Sequence, residues 1–140
     1  MRKLIVLDTN ILIRAILGER VPNLLEKYSS NCNFVTPASC YDELNHHLPK
    51  ILQKRKLALE PFLNAIAQLA KVVTPLALEI YSDYEYDAQR RIEDRDIKDW
   101  TIVALALALD CPIWTEDQDF FGIGIATWNT RNIEIYLSSN

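Results

Sequence analysis

Six carboxylates, Asp8, Glu43, Asp96, Asp99, Asp117 and Asp119, fall at strand ends or in early helical turns. Like charges gathered at one place repel and raise one another's pKa unless a cation bridges them. Hard divalent cations such as Mg2+ or Mn2+ take oxygen ligands and keep several waters for substrate phosphates. The chemistry such a cluster supports is phosphodiester hydrolysis, in which one metal lowers the pKa of a bound water and a second, where present, stabilises the leaving oxygen. Asn10 and Thr115 can add hydrogen bonds that orient the carboxylates.

The elements that must position these residues follow from pattern. Lys3 to Leu7 is a short apolar run that reads as a strand buried on both faces, ending at Asp8. Ile11 to Leu17 reads as a helix, with Thr9 or Asn10 as cap and Gly18 as stop. Val21 to Ser29 is a second helix and Asn33 to Thr36 a second strand. Thr36-Pro37 then predicts a capping hydroxyl followed by proline at the first helical position, opening a helix to Lys54 that carries Glu43. Pro49 inside that helix predicts a kink or break. Further along come a helix over 57–69, a strand over 71–74 and a long amphipathic helix over 75–92. Ile97 to Leu109 alternates Leu and Ala as a strand can, but its length and its helix-forming residues predict a helix buried nearly all round, capped by Asp96. Residues 112–115 and 125–128 read as strands and 131–137 as a closing helix, with Asp117 and Asp119 just past the fourth strand. Strands alternating with helices imply an α/β fold, whose ligands bind beyond the carboxyl ends of the strands.

Each acid also has a plainer reading. Asp8 can be a turn former, Asp96 a helix cap, Asp99 a first-turn partner of the helix dipole, Glu43 part of a solvated face, and Asp119 a member of the turn begun by Asp117. Their convergence on one edge carries the functional reading. His46 and His47 are adjacent, so a helix points them about 100° apart, which prevents joint chelation; they read as surface or partner contacts. Lys50, Lys54, Arg55 and Lys56, and again Arg90, Arg91 and Arg95, form basic clusters that are either solvated helix ends or rims for phosphates. Trp100, Trp114 and Trp128 can stack bases but fit a core equally well.

Composition limits the classes available. The 140 residues carry fifteen Lys+Arg against nineteen Asp+Glu, a net charge of −4, which argues against a histone-like nucleic-acid binder but not against a nuclease with a carboxylate metal site. Three cysteines without a CxxC pair fit a reduced, cytoplasmic protein rather than a disulfide scaffold. The apolar run from Ile102 to Leu109 is far below the ~18 residues that span a bilayer, so no membrane association is expected. Length and the absence of a linker-like stretch predict a single domain over 1–140.

Four blocks carry a family resemblance: Leu7-Asp8-Thr9-Asn10, Glu43 in the helix-opening stretch, the segment from Asp99 to Ala106, and Ile113-Trp-Thr-Glu-Asp117-Gln-Asp119-Phe120. Together, in order and over essentially the whole chain, they resemble the PIN-domain family, which includes the VapC-type toxins of bacterial toxin–antitoxin pairs. The ending Asp119 to Trp128 is similar to a PIN subgroup common among bacterial, notably cyanobacterial, proteins. The resemblance implies a three-layer α/β/α sandwich around a mainly parallel sheet and Mg2+- or Mn2+-dependent endoribonuclease activity on RNA. It also implies a homodimer and, for toxins, inhibition by a small antitoxin protein. By matching motif, Asp8, Glu43, Asp99 and Asp117 are its catalytic acids and metal ligands, with Asp96 and Asp119 as accessory ligands. Asn10 matches the polar position beside the first acid and Thr115 the hydroxyl before the fourth. The segment from Leu57 to Glu93 is longer than in the shortest toxins and is expected to shape a substrate groove, a dimer face or an antitoxin site. The alternative to an enzyme is a PIN fold that has lost catalysis and binds protein or RNA. A haloacid dehalogenase-type phosphatase is set aside because Asn10 stands where that family needs a second Asp.

Overall fold

The computed structural model describes residues 2–139. Five strands, β1 (Lys3–Leu7), β2 (Cys32–Pro37), β3 (Val73–Leu76), β4 (Ile113–Trp114) and β5 (Thr127–Trp128), form one sheet in the order β3-β2-β1-β4-β5. Every pairing is parallel. The chain winds outward from β1 to β3, then crosses back and continues from β4 to β5. The strand order therefore reverses between β1 and β4, the place where open α/β sheets form a ligand crevice. Register fixes what meets there: Leu7 pairs with Trp114, so Asp8 and Thr115 emerge side by side.

Helices α1 (Thr9–Leu17), α2 (Arg20–Tyr28), α3 (Ala38–Lys54) and α4 (Glu60–Val72) occupy the first two crossovers, and α1 packs on α2, α3 and α4. The return crossover holds α5 (Leu78–Tyr81), α6 (Glu85–Arg91) and α7 (Trp100–Leu109), with α7 packed on α5, α6, β1 and β2. A last helix, α8 (Ile133–Ser138), touches α2. This is the α/β/α arrangement anticipated from the sequence. Helix α7 is the central prop: Ile102, Val103, Ala104, Leu105 and Ala106 are all buried, so its apolar side chains are covered on every side, as the unbroken Ala/Leu run requires. Asp110, in the left-handed region at φ 51°, ends it.

Several local expectations are corrected. Helix α1 is capped by Asp8 rather than by Thr9 or Asn10: the Ile11 backbone N–H donates to Asp8 Oδ1 at 3.0 Å. Thr36 does not cap α3. Pro37 takes the N-cap position in an extended conformation, and the buried Thr36 hydroxyl donates to the Leu7 carbonyl at 2.8 Å, tying the end of β2 to the residue before Asp8. Pro49 does not break α3, which runs unbroken from Ala38 to Lys54. Leu44, Leu48 and Leu52 anchor both halves in the core, while Pro49 and Asn45, whose carbonyl loses its partner, are exposed. The predicted strand over 71–74 lies slightly later, at Val73–Leu76, and the helix before it starts at Glu60 rather than Leu57. The long helix over 75–92 is in fact β3 residues, α5, a 3-10 turn at Ser82–Tyr84 and α6. Pro75 pairs with Thr36 as part of the sheet, and burying both Tyr81 and Ala88 is met by two short helices joined by the tighter turn.

Candidate active site

Four elements deliver one carboxylate each to a small open cleft of about 100 Å3 at the β1/β4 reversal. It is lined by Asp8, Thr9, Asn10, Glu43, His47, Asp99, Ile102, Asp117 and Phe120. Asp8 caps α1, Glu43 lies in the second turn of α3, Asp99 sits at the N-terminus of α7, and Asp117 follows β4.

The four acids are held very differently. Asp8 is only 4% exposed. It accepts from the Ile11 N–H and from the Thr115 hydroxyl, yet burial outweighs both bonds and pushes its carboxyl up to about 6. Asp99 stands at the N-cap of α7 without making a capping hydrogen bond. Burial first, and then the charges of Asp96, Asp117, Asp8 and Glu43, push it up to about 7. Those named neighbours show that the cluster is electrostatically one unit. Asp117 is fixed through its backbone: its N–H donates to Thr115 Oγ1 at 2.9 Å, and its Oδ1 accepts from the Asp119 N–H at 2.9 Å. Thr115 therefore bridges the first and fourth acids. Glu43 is exposed and accepts from Thr9 Oγ1 at 3.1 Å.

Two sequence candidates stand apart from the cleft walls. Asp96 is exposed and caps the 3-10 turn Ile97–Asp99 by accepting from the Lys98 N–H at 3.0 Å, though its charge still reaches Asp99. Asp119 is exposed and serves the turn after Asp117. Two further residues bear on the cleft. His47 lines the cleft, four residues after Glu43 and so on the same helix face. Glu116 is near enough for its charge to act on Asp8, but its Oε1 is taken by the Thr130 N–H at 2.6 Å.

The arginines before α7 are not a free phosphate rim. Arg91 donates to the Ile123 carbonyl at 2.8 Å and to Asp87, Arg95 donates to the Phe121 carbonyl at 3.2 Å, and Arg90 pairs with Asp87. Arg91 and Arg95 pin the loop beyond Asp119. None of the tryptophans is exposed. Trp114 is fully buried, with its indole N–H donating to Thr130, Trp100 packs on Tyr81, and Trp128 stacks on Tyr136.

The donor set suits a hard divalent cation: oxygen donors from four elements, mutual repulsion that a cation relieves and, among the described residues, no basic side chain bonded to any of the four. Among the described residues, no three His, Cys, Asp or Glu side chains are already drawn into a metal-holding group. Asp8 and Glu43 are instead turned to hydroxyls and Asp117 to a backbone N–H.

Over residues 6–138 the sequence matches the PIN domain family. No curated protein matches the chain in sequence. Solved structures share the fold. A chain of VapBC2 from Rickettsia felis, crystallised with a DNA fragment from its promoter, is similar with a TM-score of 0.71 and 18% identity, over 90% of this chain and 98% of that one. A chain of a toxin–antitoxin complex from Klebsiella pneumoniae is similar with a TM-score of 0.64 and 16% identity, over 89% and 96%. A chain of FitAcB from Neisseria gonorrhoeae gives 0.62 and 20%, over 91% and 98%.

Proposed function

The chain belongs to the PIN-domain family, and on that premise we propose that it is a Mg2+- or Mn2+-dependent endoribonuclease hydrolysing RNA phosphodiester bonds. The observation that carries this reading is the delivery of Asp8, Glu43, Asp99 and Asp117 to one cleft from four separate elements. In this reading Asp8, Asp99 and Asp117 hold the metal, and Glu43 holds metal or positions the attacking water. When bound, the ion supplies an activated water and offsets charge on the phosphate oxygens. The chain supplies orientation. Thr115 and the Ile11 N–H fix the Asp8 carboxylate, Thr115 also sets the Asp117 backbone, and Thr9 steers Glu43. Asp96 and Asp119, outside the walls, act at most as accessory ligands through intervening water.

The likeness to chains from toxin–antitoxin structures supports a further step: the protein is the toxin of such a pair, a homodimer in the cytoplasm restrained by a small antitoxin protein. Among the described residues no helix is long and apolar enough to cross a membrane, in keeping with that reading.

Thermal unfolding with Mn2+ and Mg2+ tests the metal site. Metal at ~100 times its dissociation constant stabilises by about 2.7 kcal/mol, raising the midpoint by roughly 5–10 °C for a domain of this size. The wild type is expected to show this shift and Asp8→Asn/Asp99→Asn to lack it. Asp8→Asn alone is expected to abolish RNA cleavage with its circular dichroism intact; retained cleavage would sink the assignment. A wild type with neither shift nor cleavage would instead be a PIN fold that only binds.

A further inference from the structure

Of the nine side chains around the cleft, four are carboxylates, two are apolar, and the Thr9 hydroxyl is already given to Glu43. An RNA phosphate entering this space meets negative charge on most sides. Hydrogen-bond donors not already engaged come from Asn10 and His47: among the described residues neither side chain donates to another group. Asn10 sits beside Asp8 at the start of α1 and matches a position already read as orienting the acids. His47 is different. It projects from α3 one turn beyond Glu43, is exposed, and is the one cleft residue whose side chain can carry positive charge. Whichever ring nitrogen bears the proton, an imidazole always offers an N–H. His46 packs edge-on against it, with ring centroids 5.3 Å apart at 66°, which limits where the His47 ring can turn.

We propose that His47 is a substrate-binding residue of this site, its imidazole N–H donating to a non-bridging oxygen of the RNA backbone phosphate at the cleft. The inference rests on the reading of the cleft as an RNA-hydrolysing centre and adds the contact that offsets its acidic walls on the α3 side. A metal-ligand role is the competing use of the same imidazole. The four carboxylates already give the cleft an oxygen donor set, which a hard cation such as Mg2+ or Mn2+ prefers to an imidazole nitrogen. A phosphate contact needs only one donor facing the cleft.

The test compares wild type, His47→Ala and His47→Gln as full chains, reading steady-state cleavage of a labelled single-stranded RNA and the Mn2+-induced thermal shift. Loss of one hydrogen bond to a charged oxygen predicts a KM raised about tenfold in His47→Ala, with kcat changed far less. His47→Gln, which restores an N–H donor at similar reach, is expected to recover most of the KM. The Mn2+ shift is expected to match wild type in both variants, and the metal-free midpoint to stay within about 2 °C because the residue is exposed. An unchanged KM in His47→Ala beside an active wild type would overturn the proposal and leave the nuclease reading standing. A lost Mn2+ shift would overturn it in favour of a metal ligand. A wild type that binds Mn2+ but cleaves no RNA would remove the nuclease reading itself, and this role with it.

Discussion

The molecule treats its acids in two opposite ways. Glu134, on α8, is surrounded by donors: Arg20 at 3.1 Å, Lys27 at 2.7 Å and the Tyr28 hydroxyl at 2.5 Å, and its carboxyl is held down at about 2. Those contacts tie α8 to α2, and the acid is structural. At the other acidic region, the cleft, Asp8 and Asp99 are pushed up to about 6 and about 7, and among the described residues no Lys or Arg lines it to hold them down. Arg91 and Arg95 are committed instead to the carbonyls of Ile123 and Phe121. A fold able to staple Glu134 with three donors leaves its most buried carboxylate without a counter-charge. Perturbed acids concentrated in a cleft are where function is to be sought.

The largest effect expected from this contrast is on stability without metal. Asp8 is raised when folded, so between about pH 4 and pH 6 the native state holds a proton that the unfolded chain has released. Stability then falls as pH rises through that window and is highest below it. Asp99 acts in the same direction up to about 7. The displacement of Asp8 from 3.8 to about 6 corresponds to roughly 3 kcal/mol, of which the weakened Thr115 bond in an Asn variant returns about 1 kcal/mol. Metal-free Asp8→Asn is therefore expected to melt roughly 5–8 °C above wild type at pH 7.5, with a flatter pH dependence, in the same variant that has lost cleavage. Saturating Mn2+ should reverse the ranking. A metal-free Asp8→Asn that melts below wild type would mean that the carboxylate is structural after all.

A smaller effect tests what the arginines do. Gly122 and Gly124 lie in the loop beyond β4 at φ 86° and 87°. A Cβ at Gly124 would sit 2.6 Å from Arg91 Nη1, whereas one at Gly122 would meet Arg95 Nη2 only at 3.9 Å. Both alanine substitutions cost about 1 kcal/mol for the left-handed backbone. Gly124→Ala should cost more, because the guanidinium must leave the Ile123 carbonyl. Equal urea midpoints for the two variants would show that Arg91 does not hold this loop.

Much of this was legible in the sequence for physical reasons. The run from Lys3 to Leu7 ending in Asp8, and the Ala/Leu run after Asp99, have environments so extreme in hydrophobicity that few placements suit them, and the acids at their ends came with them. The break of residues 75–92 into two short helices was not legible. Residues 76–92 contain no Gly or Pro to announce it, and Leu78, Tyr81 and Ala88 fit one continuous stripe; half of Leu78 is nonetheless exposed, because sheet pairing at Pro75 and Leu76 fixes where the helix can begin. Thr36 misled in a related way. A hydroxyl before Pro is a good cap locally, but the buried Leu7 carbonyl was the stronger claim on it. The adjacency of His46 and His47 argues only against joint chelation; the spacing of four from Glu43 is what brings His47 to the cleft.

The smallest effect comes from the paired acid, with the opposite sign. Glu134 is held below its unfolded value, so its contribution is present above about pH 4.5 and lost as pH falls toward about 2. The partners Arg20 and Lys27 are well exposed, at 57% and 65%, and water and salt screen the pairing. Glu134→Gln is therefore expected to lower the urea midpoint slightly at pH 7 in low salt, and not at all in 1 M NaCl. Below about pH 2 the two proteins should converge. Asp8→Asn should exceed wild type most at neutral pH, be indifferent to salt, and lose that advantage as pH falls toward 4, because its origin is burial rather than pairing. If salt moved both variants alike, the cleft acids would be solvated charges like Glu134, and the case for a cation-demanding site would rest on family membership alone.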